Sequence, residues 1–437
     1  MQPIKIDLLI NSRWIIPVVP ENRVFEHCAL AIDQQKIVGI YPQTEAKTKF
    51  DPVSVVDLAD HILMPGLVNA HGHAAMSLLR GYADDLPLQP WLEEHIWPVE
   101  ARVLSAEFVA DGTNLAMAEM IKTGTTCFAD MYFFADTVAE QVQRSGMRSQ
   151  IGFTVFDFPT AGGKDPDDYI HKGLKLRDTY KGDGLIKIAC APHAPYTVGD
   201  DTMRRIATYA NELEMAVHIH CHETAQEVAD SLKLYGCRPL QRLDDLGVLL
   251  PQTQLVHMTQ IDDEDIRLIQ DHNCHVVHCP ESNLKLASGF CPVGKLIDAG
   301  INVAIGTDGA ASNNDLDLFG ELKTAALLAK AVANDASVLD AHAALRMATI
   351  NGAKALGWDD QIGSLEAGKS ADMIAVEISS LSQKPLYNPA SQLVYSNAGS
   401  QVTHSWVAGK ALLRERSLVT LDEENLIRRA DAWRNQI

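Results

Sequence analysis

The chain opens with short runs in which apolar and polar residues alternate, the period-two pattern of strands covered on one face. These runs fall at residues 4–10, 29–32, 36–40 and 53–57, broken by Asn, Asp, Gln and Pro, with little helical periodicity between them. After Met64-Pro65-Gly66 the pattern changes: apolar runs alternate with amphipathic stretches of helical period, as repeated β/α units require. Runs at 66–68, 125–129, 149–155, 186–191, 216–220, 254–256, 275–278 and 301–305 supply the strands of a parallel barrel, with helical stretches such as 106–123 and 317–333 between or after them. From about residue 364 β character returns, with strands over 373–376 and 402–407 and a polar helical tail from Leu421. The two ends of the chain resemble each other more than either resembles the middle. The expected fold is α/β: a distorted (β/α)8 TIM-like barrel over residues 64–363, flanked by a small composite β domain built from residues 1–63 and 364–437.

Composition narrows the setting. A length of 437 residues accommodates a large barrel with an accessory unit, and 46% hydrophobic with 22% charged residues is ordinary globular usage. With 37 basic against 57 acidic residues the net charge is −20, which repels nucleic acid and anionic membrane and argues against both as partners. Residues 1–19 mix Lys5, Asp7, Asn11 and Arg13 into their apolar positions, so no secretory signal is expected, nor does any stretch approach the roughly 20 apolar residues of a membrane span. The eight cysteines form no Cys-x-x-Cys pair, which suits reduced thiols, most of them small core residues, in a cytoplasmic protein.

Chemistry concentrates where predicted strands end. His71-Gly72-His73 follows directly on an apolar strand, and residues two apart on extended backbone face the same side, so both rings can reach one cation. A His-x-His pair alone is weak evidence, but His220, His257 and Asp308 occupy the same strand-end position in later units, which is where barrel enzymes work. Three imidazoles and a carboxylate around an open position make a catalytic zinc site with a reactive water, and we assign His71, His73, His220 and Asp308 as its ligands. His257 is then placed to orient or polarise that water; its alternative is a core histidine satisfied by backbone. Glu223, three residues past His220, is the expected proton shuttle. His222-Glu223 does not begin a His-Glu-x-x-His zinc helix, because Gln226 stands where the second histidine belongs. His218, deeper or sideways in the same strand, is expected to be structural. The segment from Gly363 to Ser370 matches a phosphate-loop pattern formally, yet it precedes a strand instead of opening a helix, so a nucleotide-triphosphate site is rejected.

With these residues in place the sequence resembles the amidohydrolase superfamily, in its branch of zinc-dependent aminohydrolases acting on purine-like rings. The resemblance spans nearly the whole chain. It is carried by the segment Met64 to His73, by His218-Ile219-His220-Cys221-His222-Glu223, by Gly306-Thr307-Asp308-Gly309 and by the segment Gly363 to Asp372. It implies a barrel with a composite β domain and the same ligand and catalytic assignments. Dinuclear relatives carry a carboxylated lysine on the fourth strand; here no lysine follows Ile188 and Lys187 lies too early, so one divalent ion is expected.

Within the branch, the chain is similar to the 5-methylthioadenosine/S-adenosylhomocysteine deaminases through Leu78-Leu79-Arg80-Gly81, Trp91-Leu92, Trp97-Pro98-Val99-Glu100 and Pro192-His193-Ala194-Pro195-Tyr196. That similarity implies a nucleoside substrate contacted by Glu100 and His193. A glutamate can accept two hydrogen bonds from a ribose diol, although Glu100 also suits a solvated helix-start acid. Trp91, Leu92 and Trp97 are either apolar wall for a thioether group or core. The expected activity is hydrolytic loss of the 6-amino group from an adenosine-type nucleoside. Glu100, His193, Glu223 and Asp308 would touch the substrate, and Glu223, His257 and Asp308 would act in the chemistry. Two rivals stand beside it: a guanine, oxidised-purine or triazine hydrolase of the same branch, and a barrel scaffold without catalysis. A scaffold should have lost ligands, and here every one is present. Zinc and iron are not separable from the ligand types. Nor is oligomeric state readable, although relatives commonly form homo-oligomers.

Overall fold

In the computed structural model, which describes residues 2–437, two eight-stranded sheets divide the chain. One is all parallel, its strands in chain order: Leu67–Asn69, Thr125–Tyr132, Arg148–Val155, Ile186–Pro192, Val217–Cys221, Thr253–His257, His275–His278 and Val303–Ile305. Nearly every residue on them is buried, because helices cover the outside while side chains fill the inside, and this is why they read as continuous apolar runs. The Ala70 N–H donates to the Ile305 carbonyl at 2.8 Å and joins the last strand to the first, closing the ring. The closure is uneven: the fourth and fifth strands pair at a single position, Cys190 with Val217. The expected distorted barrel is what the chain forms.

The barrel helices follow their sequence signals. Ser105 caps Ala106–Thr123 by accepting from the Phe108 N–H, and Gly124, at φ 98°, ends that helix in the left-handed region where glycine has no Cβ to clash. Asp317 caps Leu318–Ala333 in the same way. Among the described residues no helix is long and apolar enough to cross a membrane.

The second sheet takes strands from both ends, in the order Ser417–Leu418, Lys410–Arg414, Val402–Val407, Met373–Glu377, Phe50–Pro65, Ile4–Ile15, Phe25–Asp33 and Lys36–Pro42. Its centre is Phe50–Pro65, parallel to Ile4–Ile15 on one side and antiparallel to Met373–Glu377 on the other. This strand is far longer than its apolar core suggested, since much of its first part is exposed and carries polar residues. Two further features lie beyond the sequence expectation: the hairpin Lys410–Arg414 with Ser417–Leu418, and a helix, Gln43–Lys49, whose single buried residue, Ala46, leaves no apolar stripe. Gly66 passes the chain from this sheet into the barrel, and a Cβ there would meet the Thr126 hydroxyl at 2.0 Å.

Candidate metal and active site

Each ligand-type side chain sits at the C-terminal mouth of the barrel because its strand ends there. His71 and His73 follow the first strand, His220 lies near the end of the fifth, His257 ends the sixth, and Asp308 comes three residues after the eighth. The first and eighth strands approach closely: a Cβ on Gly306 would stand 2.7 Å from the Cβ of His71, so only glycine lets Asp308 reach the histidine pair. His257 and Asp308 hold left-handed backbone, at φ 77° and 62°. Such conformations cost about 1 kcal/mol or more for residues with a Cβ and gather at functional sites.

The structure brings the predicted residues together. His71 Nε2 lies 3.2 Å from His220 Nε2 and 3.3 Å from Asp308 Oδ1, and His73 Nε2 lies 3.1 Å from that same oxygen. Two donor triads result, sharing His71: one with His73 and Asp308, the other with His220 and His257. Hydrogen bonding separates His257 from the rest. His73 Nδ1 faces the Met131 carbonyl at 2.6 Å, and His220 Nδ1 faces the His193 carbonyl at 2.8 Å. A carbonyl only accepts, so both rings carry their proton on Nδ1 and aim an Nε2 lone pair inward. At His257 the order is reversed: the Asn283 amide donates to Nδ1 at 3.0 Å, which leaves the proton on Nε2. His257 therefore presents a donor where the others present acceptors, the arrangement expected of a group that contacts an oxygen.

Burial sets the charge states. It drives His71 and His220 well below the ordinary imidazole range and takes His193 down to about 3, so these rings are neutral near pH 7. Facing lone pairs on His71 and His220 fit a divalent cation. His73 differs, because against the opposing effect of burial its hydrogen bond to Asp308 raises it above the ordinary range, and a cation would take the place of that shared proton. Asp308 adds the anionic oxygen, its Oδ2 anchored by Ser282 Oγ at 2.6 Å and Ser312 Oγ at 3.2 Å while Oδ1 faces the histidines. Lys187 is remote, donating to the Gly357 carbonyl at the other end of its strand, so no lysine bridges a second ion.

Glu223 stands beside this cluster, with Oε2 3.6 Å from His257 Nε2 and Oε1 accepting from Ser288 Oγ at 3.4 Å. Burial, and then the charge of Asp308, raise its carboxyl to about 8. Sequence reasoning missed what holds it: Glu227 accepts from the His222 N–H at 2.9 Å and the Glu223 N–H at 2.7 Å, fixing the loop before its own helix. Nothing in the sequence marks Glu227, which reads as an ordinary first-turn acid. His222, left-handed at φ 53°, is turned away and ties the loop to Gln260 and Leu240.

A cavity opens onto the cluster. Trp91, Leu92 and Trp97 line it, as do Glu100 and His193. Glu100 accepts from the Tyr132 hydroxyl, and burial lifts its carboxyl to about 7. The His193 ring stacks on Phe156 at 4.7 Å, with Nδ1 3.0 Å from the Thr197 hydroxyl. His218 lies behind the site, with Nε2 2.7 Å from His71 Nδ1, and does not reach the cavity. The Gly363–Ser370 segment is a turn running into the strand Met373–Glu377, and it opens no helix.

A parallel barrel with a strand-end His-x-His pair, a fifth-strand histidine and an eighth-strand aspartate defines a class, and the chain belongs to it: residues 62–412 match the amidohydrolase family. Among relatives, it is 56% identical to a 5-methylthioadenosine/S-adenosylhomocysteine deaminase of Saccharophagus degradans, over 99% of this chain and 97% of that one. It is 54% identical to the enzyme of the same name from Teredinibacter turnerae, over 99% and 98%. Among solved structures, an adenosine deaminase from Xanthomonas campestris with bound zinc superposes with a TM-score of 0.98 at 51% identity, covering 99% of both chains.

Proposed function

We propose that this chain is a zinc-dependent aminohydrolase that converts 5-methylthioadenosine, S-adenosylhomocysteine and related adenosine-type nucleosides to inosine-type products and ammonia. The observation that carries the proposal is the convergence of the His71, His73 and His220 ring nitrogens and one Asp308 oxygen beside a raised glutamate, at the base of a cavity that also holds Glu100. His71, His73, His220 and Asp308 hold the ion. When bound, such an ion lowers the pKa of its water toward neutrality and so supplies the nucleophile. Asp308 takes a proton from the attacking water. Glu223, protonated near pH 7, gives its proton to the ring nitrogen next to the carbon under attack, and His257 donates from Nε2 to the incoming oxygen. Proton transfer to the amino group then lets ammonia leave, so water enters and ammonia departs with atoms in balance.

Glu100 reads the ribose diol, with the Tyr132 hydroxyl orienting its carboxylate. His193 offers Nε2 to the substrate, its Nδ1 being engaged by the Thr197 hydroxyl. Residues 64–363 form the catalytic barrel and residues 1–63 with 364–437 the composite β domain, a division supported by the pairing of Ile62 and Leu63 with Val376 and Ala375. Eight free cysteines suit a reducing cytoplasm. A net charge of −20 suits a small neutral substrate over a polyanion. The test is ammonia release and loss of the adenosine ultraviolet band with methylthioadenosine, S-adenosylhomocysteine, adenosine and guanine. Turnover of guanine with no change in the adenosine-type compounds would overturn the proposal.

A further inference from the structure

The ring of His71 is held differently from those of His73 and His220. Its Nδ1 meets no carbonyl but the Nε2 of His218, at 2.7 Å, with the two rings 22° from coplanar and their centroids 5.0 Å apart. Two imidazoles facing each other leave open which one donates. The rest of the chain of contacts decides it. His218 Nδ1 meets Gln254 Oε1, and Gln254 Nε2 donates to the Ala355 carbonyl at 2.7 Å. Ala355 is the last residue of the helix Ile350–Ala355, whose final carbonyls have no partner within the helix. That helix packs under the barrel, Ala355 against Ala70, Val256 and Ala304.

A carbonyl can only accept, and this single constraint fixes every proton above it. The Gln254 amide must present its NH2 to Ala355 and therefore its oxygen to His218. His218 must carry its proton on Nδ1 and therefore accept at Nε2. His71 must then donate from Nδ1, which leaves its Nε2 lone pair aimed at His220 Nε2 and Asp308 Oδ1. His71, His218 and Gln254 are all at most 2% exposed, so no solvent competes for these bonds. The neighbouring floor glutamine behaves otherwise: Gln150 donates to the Leu356 carbonyl at 3.3 Å, but its Oε1 has no partner. Of the two, only Gln254 passes the constraint upward.

From this geometry we infer that His218 and Gln254 are positioning residues for the ion, a relay from the barrel floor that fixes the tautomer and ring angle of His71. The relay rests on the ion site proposed above and assigns it two residues that touch neither ion nor substrate. Partners of this kind typically change metal affinity by about 10–100-fold when removed.

The test strips the protein with a chelator and titrates it with Co2+ against a competing indicator. It compares wild type with His218→Phe, His218→Gln and Gln254→Leu, reading affinity, the visible Co2+ spectrum and the melting temperature of the metal-free protein. His218→Phe should bind about 10–100-fold more weakly with an altered spectrum. His218→Gln places an amide oxygen where Nε2 stood and should recover most of that loss. Gln254→Leu should fall between the two. If His218→Phe does not fold, the other two variants carry the same ranking. A merely structural role would lower the metal-free melting temperature without ranking the affinities, and wild-type affinity and spectrum in His218→Phe or Gln254→Leu would overturn the relay. A wild-type protein that took up no Co2+ would overturn the ion site itself, and the relay with it.

Discussion

Two clusters of buried polar side chains lie at opposite ends of the barrel strands, and they solve the problem of burial in opposite ways. At the start of the third strand Arg148, 2% exposed, meets Asp372 with Nε at 2.9 Å and Nη2 at 3.3 Å, and also reaches the Ser370 hydroxyl and the Gly184 carbonyl. Asp372 in turn accepts from the Ala408 N–H at 2.8 Å. Every charge there has a partner, and the cluster pins the barrel to the terminal sheet. At the mouth, the buried rings of His71 and His220 point Nε2 lone pairs at each other across 3.2 Å, with the His220 proton held on the far side by the His193 carbonyl and no donor between the two. Burial of polar groups does not mark a functional site; acceptors left facing acceptors do, because that arrangement is stable only around a cation.

Substitutions at the two ends should therefore fail in different ways. The largest effect is expected at the mouth: Glu223→Gln should keep its metal, measured by elemental analysis, while ammonia release falls by about 10²–10⁴-fold, the range for losing a general acid. Full activity in that variant would remove Glu223 from the mechanism. At the other end, Asp372→Ala leaves the Arg148 guanidinium buried and unpaired, which costs about 3–5 kcal/mol in chemical denaturation with turnover per folded molecule unchanged. A loss below about 1 kcal/mol, the size of an exposed pair, would mean that this cluster is not what joins the two sheets.

Smaller effects sharpen the picture of the cavity. Burial raises Glu100 to about 7, so it is neutral below that pH and ionised above it. Only the ionised form accepts two hydrogen bonds from a diol, so kcat/KM for nucleosides should fall as pH drops below about 7. Glu100→Gln should raise KM by about tenfold or more, the weight of one charged hydrogen bond, and abolish that inflection. A pH profile unchanged in Glu100→Gln would assign the inflection elsewhere. The smallest effect concerns the 5′ substituent. Among the described residues no lysine or arginine lines the cavity, so a free carboxylate on the substrate finds no cation there. S-adenosylhomocysteine should be turned over with a kcat/KM about tenfold below that of methylthioadenosine, the scale of one unpaired charged group in a half-open site. Equal values would place its amino-acid tail in solvent.

How much of this was legible before the structure depended on whether a signal was local. Barrel strands buried on both faces announce themselves as apolar runs, and the mouth residues follow from where those runs end. Phe50–Pro65 was read as a short strand because its exposed half carries Asp51, Ser54, Asp57 and Asp60, and partners on both sides make it a strand, not its own pattern. Gln43–Lys49 buries only Ala46, so it has no stripe to find. His218 is expected from sequence to be structural, and it does lie behind His71 outside the cavity, but its contact with Gln254 joins residues 36 apart in sequence, and no spacing rule predicts which way a ring faces. Glu227 and Tyr132 were missed for the same reason: each is ordinary in its own segment and acquires meaning only from the carboxylate or backbone that the fold brings to it.

One ion among His71, His73, His220 and Asp308, with His257 outside its coordination, is what the proposed chemistry requires. Anomalous diffraction at the zinc edge from crystals of the metal-loaded protein tests it most directly. A single peak per chain is expected, at about 2.0–2.2 Å from the Nε2 atoms of the three histidines and an Asp308 oxygen. No peak, or a peak bonded to His257 with His73 or Asp308 left free, would contradict it.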